Sequence, residues 1–78
     1  MKKHEIRVTI DSTEKQQKAI EILNRYNQKI LDYSDIEDAS FEGIIGFSDY
    51  NDVWCEFYTM EGGKEITLNE LETILKNE

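Results

Sequence analysis

From His4 to Ile10 the chain alternates, with apolar Ile6, Val8 and Ile10 separated by Arg7 and Thr9 and preceded by Glu5. A period of two is that of a strand with one buried face, and it predicts a first strand over these residues. The period then lengthens. Ala19, Ile22, Leu23, Tyr26 and Ile30 recur at helical spacing, with Lys15, Lys18, Arg25 and Lys29 among the polar positions, so one long helix is expected to about Leu31. Asp11 followed by Glu14 has the form of a capping box at its start.

Residues 32–40, DYSDIEDAS, sustain neither period and are read as a connection over the surface. Aromatic and β-branched residues return over 41–47 and 53–60 with SDYND between, the pattern of an antiparallel hairpin with a longer loop. Gly62-Gly63 suits a tight turn, after which Lys64 to Ile66 is expected to fold back as a short fourth strand. Thr67-x-x-Glu70 is a second capping box, with Ile66 and Leu71 placed as a hydrophobic staple and Leu68, Leu71, Ile74 and Leu75 forming a narrow apolar stripe. The expected fold class is α+β. Residues 1–78 form one domain, a small three- to four-stranded antiparallel sheet packed by one long helix, with a short C-terminal helix in the order β-α-β-β-β-α.

Side-chain alternation divides the hairpin into two faces. Val53, Cys55, Phe57 and Thr59 share one parity with Phe41, Gly43, Ile45 and Phe47, and these are assigned to the core. Trp54, Glu56, Tyr58 and Met60 share the other with Glu42, Ile44 and Gly46. That outer face is partly apolar, so either a partner or the C-terminal helix is expected to cover it.

Length and charge narrow the function classes. A chain of 78 residues buries only about 60% of its unfolded surface, which leaves little room for an elaborate catalytic pocket. The sequence has no long apolar run, and MKKHEIRVTI begins to alternate too early for a secretory leader, so a cytoplasmic location is expected. The single cysteine, Cys55, agrees with a reducing compartment. The net charge is −8, and its distribution is uneven. Between Lys29 and Lys64 there is no base, while that interval holds Asp32, Asp35, Glu37, Asp38, Glu42, Asp49, Asp52, Glu56 and Glu61. Such a surface repels nucleic acid and anionic membrane and attracts basic protein surfaces.

None of the chemical motifs reaches a specific site. Asp49-x-Asn51-Asp52 has the beginning of a calcium loop but lacks the glycine and the closing glutamate, since position 60 is Met60. His4 is the only histidine, and it would act with Cys55 only if the fold joined them. Gly62-Gly63-Lys64 lacks the spacing of a phosphate loop. No catalytic residue, metal or cofactor is therefore expected. Binding is the expected activity: carboxylates can stand in for phosphates toward Lys and Arg, and aromatic residues beside them would anchor the contact. The candidate partner-binding residues are Asp32, Tyr33, Asp35, Glu37, Asp38, Glu42, Asp49, Tyr50, Asp52, Trp54, Glu56 and Tyr58.

The layout, with IRVTIDSTEKQQKAIEIL as first strand and helix and KEITLNELETIL as closing strand and helix, resembles the small acidic inhibitors encoded by phages and mobile elements, anti-CRISPR and other anti-defence proteins among them. The resemblance implies a stoichiometric inhibitor without a cofactor, acting as a nucleic-acid mimic on the basic site of a nucleic-acid-binding protein or nuclease complex. Two alternatives stand beside it: a small structural or adaptor domain that self-associates as a homodimer through the Trp54 face, and a binder of a small ligand or cation.

Overall fold

A computed structural model describes residues 3–31, 33–38, 41–56 and 63–78. After a 3-10 turn (Lys3–Glu5), strand β1 (Ile6–Ile10) turns Ile6, Val8 and Ile10 inward, as its alternation predicts. Helix α1 (Thr13–Arg25) begins one residue later than the Asp11 box implies. Ser12 is the N-cap, its Oγ accepting from the Lys15 amide at 3.2 Å, while Asp11 forms an ion pair with Lys15 at 3.0 Å.

The long helix expected to Leu31 ends at Arg25. Asn27 takes φ 55°, the Gln28 amide donates to the Leu23 carbonyl, and the Asn27 amide donates to that of Asn24. These are the two bonds of a Schellman stop with asparagine in the left-handed position. Beyond it the chain is extended. Lys29 and Leu31 bond to the backbone of Val53 through the Lys29 carbonyl and the Leu31 amide, so Ile30 makes a parallel bridge to Val53.

A short helix, α2 (Tyr33–Glu37), stands in what was expected to be a plain surface connection. Ile36 is fully buried in the core. Gln16, only 4% exposed, holds this segment by donating its amide to the Ile36 and Asp38 carbonyls at 2.5 and 2.6 Å. At the other end Asn24 donates to the Tyr33 hydroxyl at 3.3 Å, so α2 runs back along α1.

Strands β2 (Gly43–Phe47) and β3 (Val53–Glu56) form the expected antiparallel hairpin. Strand β4 (Lys64–Glu65) does not return to β3. It lies parallel to β1 at the opposite edge, giving the mixed order β3-β2-β1-β4. Gly63 makes this placement possible, with φ 73° and the space for a Cβ only 3.1 Å from the Glu5 carbonyl oxygen. Gly62 and residues 57–60 of the expected third strand lie outside the described residues.

Helix α3 (Leu68–Lys76) starts with the predicted capping box, Thr67 Oγ accepting from the Glu70 amide and Glu70 accepting from the Thr67 amide, each at 3.1 Å. Leu71 and Leu75 enter the same core as Ala19, Ile22 and Leu23. The C-terminal helix thus packs beside α1 and leaves the Trp54 face to other residues. Arg25 links the two helices through Glu72 while also pairing with Glu21. The architecture is α+β: a four-stranded mixed sheet, with α1 and α3 on one layer.

Candidate protein-interaction surface

The β1–β2 register places the acidic residues at two ends of the sheet. Ile10 is opposite Gly43, so Glu42 and Asp11 flank one end, and the Phe41 amide, which donates to the Asp38 carbonyl, brings Asp38 to that end. Glu37, Asp38 and Glu42 are exposed there. Arg7 is opposite Gly46, and continuing that register sets His4 near Asp49 at the other end, with Nδ1 4.0 Å from the carboxylate. At about 3.4 Å per residue the ends are roughly 14 Å apart. The acidic interval is one stretch of sequence but two surfaces.

The hairpin loop is built around Ser48. Its hydroxyl oxygen accepts from the amides of Tyr50 and Asp52, both at 3.2 Å; its amide donates to the Asp52 carbonyl, and its carbonyl accepts from the Asn51 amide. Asn51 takes φ 65°, which closes a three-residue loop of a turn followed by a left-handed residue. Asp49 and Tyr50 are the two central residues of the turn. Tyr50 is therefore presented on a fixed backbone, and it is 88% exposed. Asp49 is exposed and Asp52 half-buried.

Beside the tip lies a hollow of about 580 Å³ lined by His4, Asp49, Asn51, Asn77 and Glu78, among others. Lys3 also reaches it, but its charge is already engaged: Nζ pairs with Glu78 at 2.7 Å, bonds to Gln28 Oε1 at 3.1 Å and stands 5.1 Å from the centre of the Phe47 ring. His4 lies within 3.9 Å of Glu5 as well as beside Asp49. Carboxylates therefore dominate this end.

Trp54 does not project from the outer face as an anchor. Its ring lies on Gly46, occupying the space a Cβ would need there. The Trp is half-buried as a result. Ile44, on the same parity and opposite Thr9 and Glu56, is 1% exposed and stands apart from the main core. Among the described residues the outer face thus offers less apolar surface than its sequence suggests. Tyr33 is partly exposed next to Leu31 and is tied by its hydroxyl to Asn24. Asp32 and Tyr58 lie outside the described residues, as do the side chains of Asp35 and Glu56, whose backbones belong to α2 and β3.

A second, larger groove of about 810 Å³ opens where β1 and β4 lead into α1 and α3. Asp11, Glu14, Glu65 and Glu70 outnumber Lys15 and Lys18 around it. Ser12 and Thr67 take up an amide at each helix start, and Glu65 accepts from the Thr9 hydroxyl, which leaves the groove poorly suited to an anion. No group of three or more His, Cys, Asp or Glu among the described residues has the geometry to hold a metal ion. Cys55 and His4 are not joined: the thiol is buried in the core and the imidazole is at the surface.

The Arg25 guanidinium is held charged above its ordinary range, chiefly by Glu72 and then by Glu21. Its stabilising effect is present at every pH below the usual arginine value and is lost only as pH rises through the higher folded value. It therefore sets no pH dependence in the physiological range.

The sequence did not single out Ser48, Asn51 or His4 as parts of the binding end. Ser-x-x-Asn is turn chemistry visible in sequence. The pairing of His4 with Asp49 depends on strand register, which sequence does not state. Comparison with protein-family models, curated proteins and solved structures finds no match for this chain.

Proposed function

We propose that this chain is a non-enzymatic, acidic protein-interaction module of the cytoplasm, a stoichiometric inhibitor of the phage anti-defence type that occupies the basic site of a nucleic-acid-handling protein. The observation that carries the reading is Tyr50: a large aromatic side chain, 88% exposed, held between Asp49 and Asp52 at the tip of a hydrogen-bonded turn. An exposed aromatic costs solvation without helping the core, and interfaces draw their anchors from such residues. The base-free interval from residue 30 to 63 supplies the long-range field, which raises association rate and makes it sensitive to salt.

The test is retention from a bacterial lysate on the immobilised chain, washed at rising salt and repeated with two neutralised variants. One carries Asp49→Asn and Asp52→Asn, the other Glu37→Gln, Asp38→Asn and Glu42→Gln. A basic nucleic-acid-binding protein held in near-equal amount by the wild type, and released by salt and by at least one variant, is the expected result. Retention indifferent to salt and to both variants would exclude the reading.

A further inference from the structure

The proposed reading leaves open which end of the sheet makes the contact and which cation it reads. We infer that the hairpin tip is the contact end and that it selects arginine over lysine on the partner. The inference rests on the proposed function and goes beyond it.

Three observations converge on the tip. Tyr50 offers a ring face to solvent, and the turn that carries it is fixed by three backbone bonds to Ser48 and one bond from the Ser48 amide. The Asp49 carboxylate beside it has 84% of its side-chain surface open, and the basic side chain described beside it is the His4 imidazole at 4.0 Å. The adjoining hollow, about 580 Å³, has room for a long side chain and carries acceptor groups on Asn51 and Asn77. Lys3, the one lysine or arginine at its wall among the described residues, is paired with Glu78 at 2.7 Å.

An aromatic face next to a carboxylate is what guanidinium uses best. Its planar, weakly hydrated group stacks on the ring while its N–H fork reaches the carboxylate, whereas ammonium is a strongly hydrated point charge that does not stack. At the opposite end Glu37, Asp38 and Glu42 are exposed, and the described exposed aromatic nearest them in the chain, Tyr33, is only 39% exposed and is tied by its hydroxyl to Asn24, so that end has less free ring face with which to distinguish arginine from lysine than Tyr50 provides. A partner presenting arginine is therefore steered by the whole acidic interval and held at Tyr50.

The experiment is a titration of the full chain, labelled for amide NMR, with two peptides of equal length, one alternating Arg and Gly and the other Lys and Gly. Shifts concentrated at residues 48–52, His4 and Asn77, with the arginine peptide bound about three- to fivefold tighter, are expected, since that factor is what an exposed cation–π contact supplies. Tyr50→Ser should remove the preference and Tyr50→Phe should keep it; with so exposed a side chain, neither change endangers folding. Equal binding of both peptides, or shifts centred on Glu37, Asp38 and Glu42, would overturn the inference and leave the acidic module standing. No shift from either peptide would overturn both. Shifts at Tyr50 that depend on protein concentration alone would make a second copy the occupant and overturn the inference too.

Discussion

Gly46 and Trp54 face each other across β2 and β3, and the ring covers the missing side chain. This is the pairing in which an aromatic residue shields a glycine in a sheet. Gly46→Ala would place a methyl group inside the ring, and because Trp54 is half-exposed the ring can swing outward instead of straining the core. A loss of about 1 kcal/mol is expected, with a red shift of tryptophan fluorescence, measured by urea unfolding. Gln16 has a larger effect for a different reason. Gln16→Leu would take the Gln16 amide from the Ile36 and Asp38 carbonyls, the second of which keeps its bond from the Phe41 amide, at a cost of about 1–3 kcal/mol. Hydrogen exchange should speed up at residues 33–38 before it does in the sheet. The alternation of apolar residues made the inward set of β1 legible, and the same rule assigned Val53, Cys55, Ile45 and Phe47 correctly. It could not show Gln16 as a core residue, because a glutamine at a helical position reads as solvent-facing until the carbonyls it serves are known.

Helix ends separate what local sequence decides from what tertiary contacts decide. The Thr67–Glu70 box formed as read, since both partners lie within one turn; Thr67→Ala should cost about 1 kcal/mol, seen as a fall in Tm of roughly 4–8 °C. The first helix was read too long because Ile30 keeps the apolar period after the helix has stopped. Its side chain is instead partly buried from an extended segment that pairs with Val53. Asn27 was the available signal for the stop. Asn27→Gly should be tolerated within a few tenths of a kcal/mol, and Asn27→Val should lose about 1–2 kcal/mol, because a β-branched residue resists positive φ; thermal unfolding of the pair distinguishes them. Strand β4 shows the other limit. A glycine pair suggested a hairpin, but turn propensity does not identify a strand's partner, and β4 pairs with β1 through bonds such as that from the Ile66 amide to the Arg7 carbonyl.

At the scale of the molecule, a charge of −8 on 78 residues makes self-repulsion a feature of the folded state. Added salt should screen it, so Tm is expected to rise from low to moderate salt; a steady fall would mean that the ion pairs around Lys3, Lys15 and Arg25 outweigh the repulsion. The acidic character of the candidate surface was legible in the sequence, and so were Asp49, Tyr50 and Asp52 as residues to watch. Its division into two ends was not, because adjacent positions in an interval of sequence are separated by the length of a strand once β2 and β3 pair. The same pairing turned Trp54 from an expected anchor into a cover for Gly46 and left Tyr50 as the exposed aromatic at the acidic tip.

The proposed mimicry requires these carboxylates to compete for a site that otherwise holds phosphates. The most direct measurement is fluorescence anisotropy of a labelled oligonucleotide bound to the basic partner that the chain retains, titrated with the intact chain. Displacement complete near one equivalent, and delayed to higher concentration for the Asp49→Asn, Asp52→Asn variant, is the predicted result. An oligonucleotide that stays bound while the two proteins associate would place the contact elsewhere on the partner and contradict mimicry.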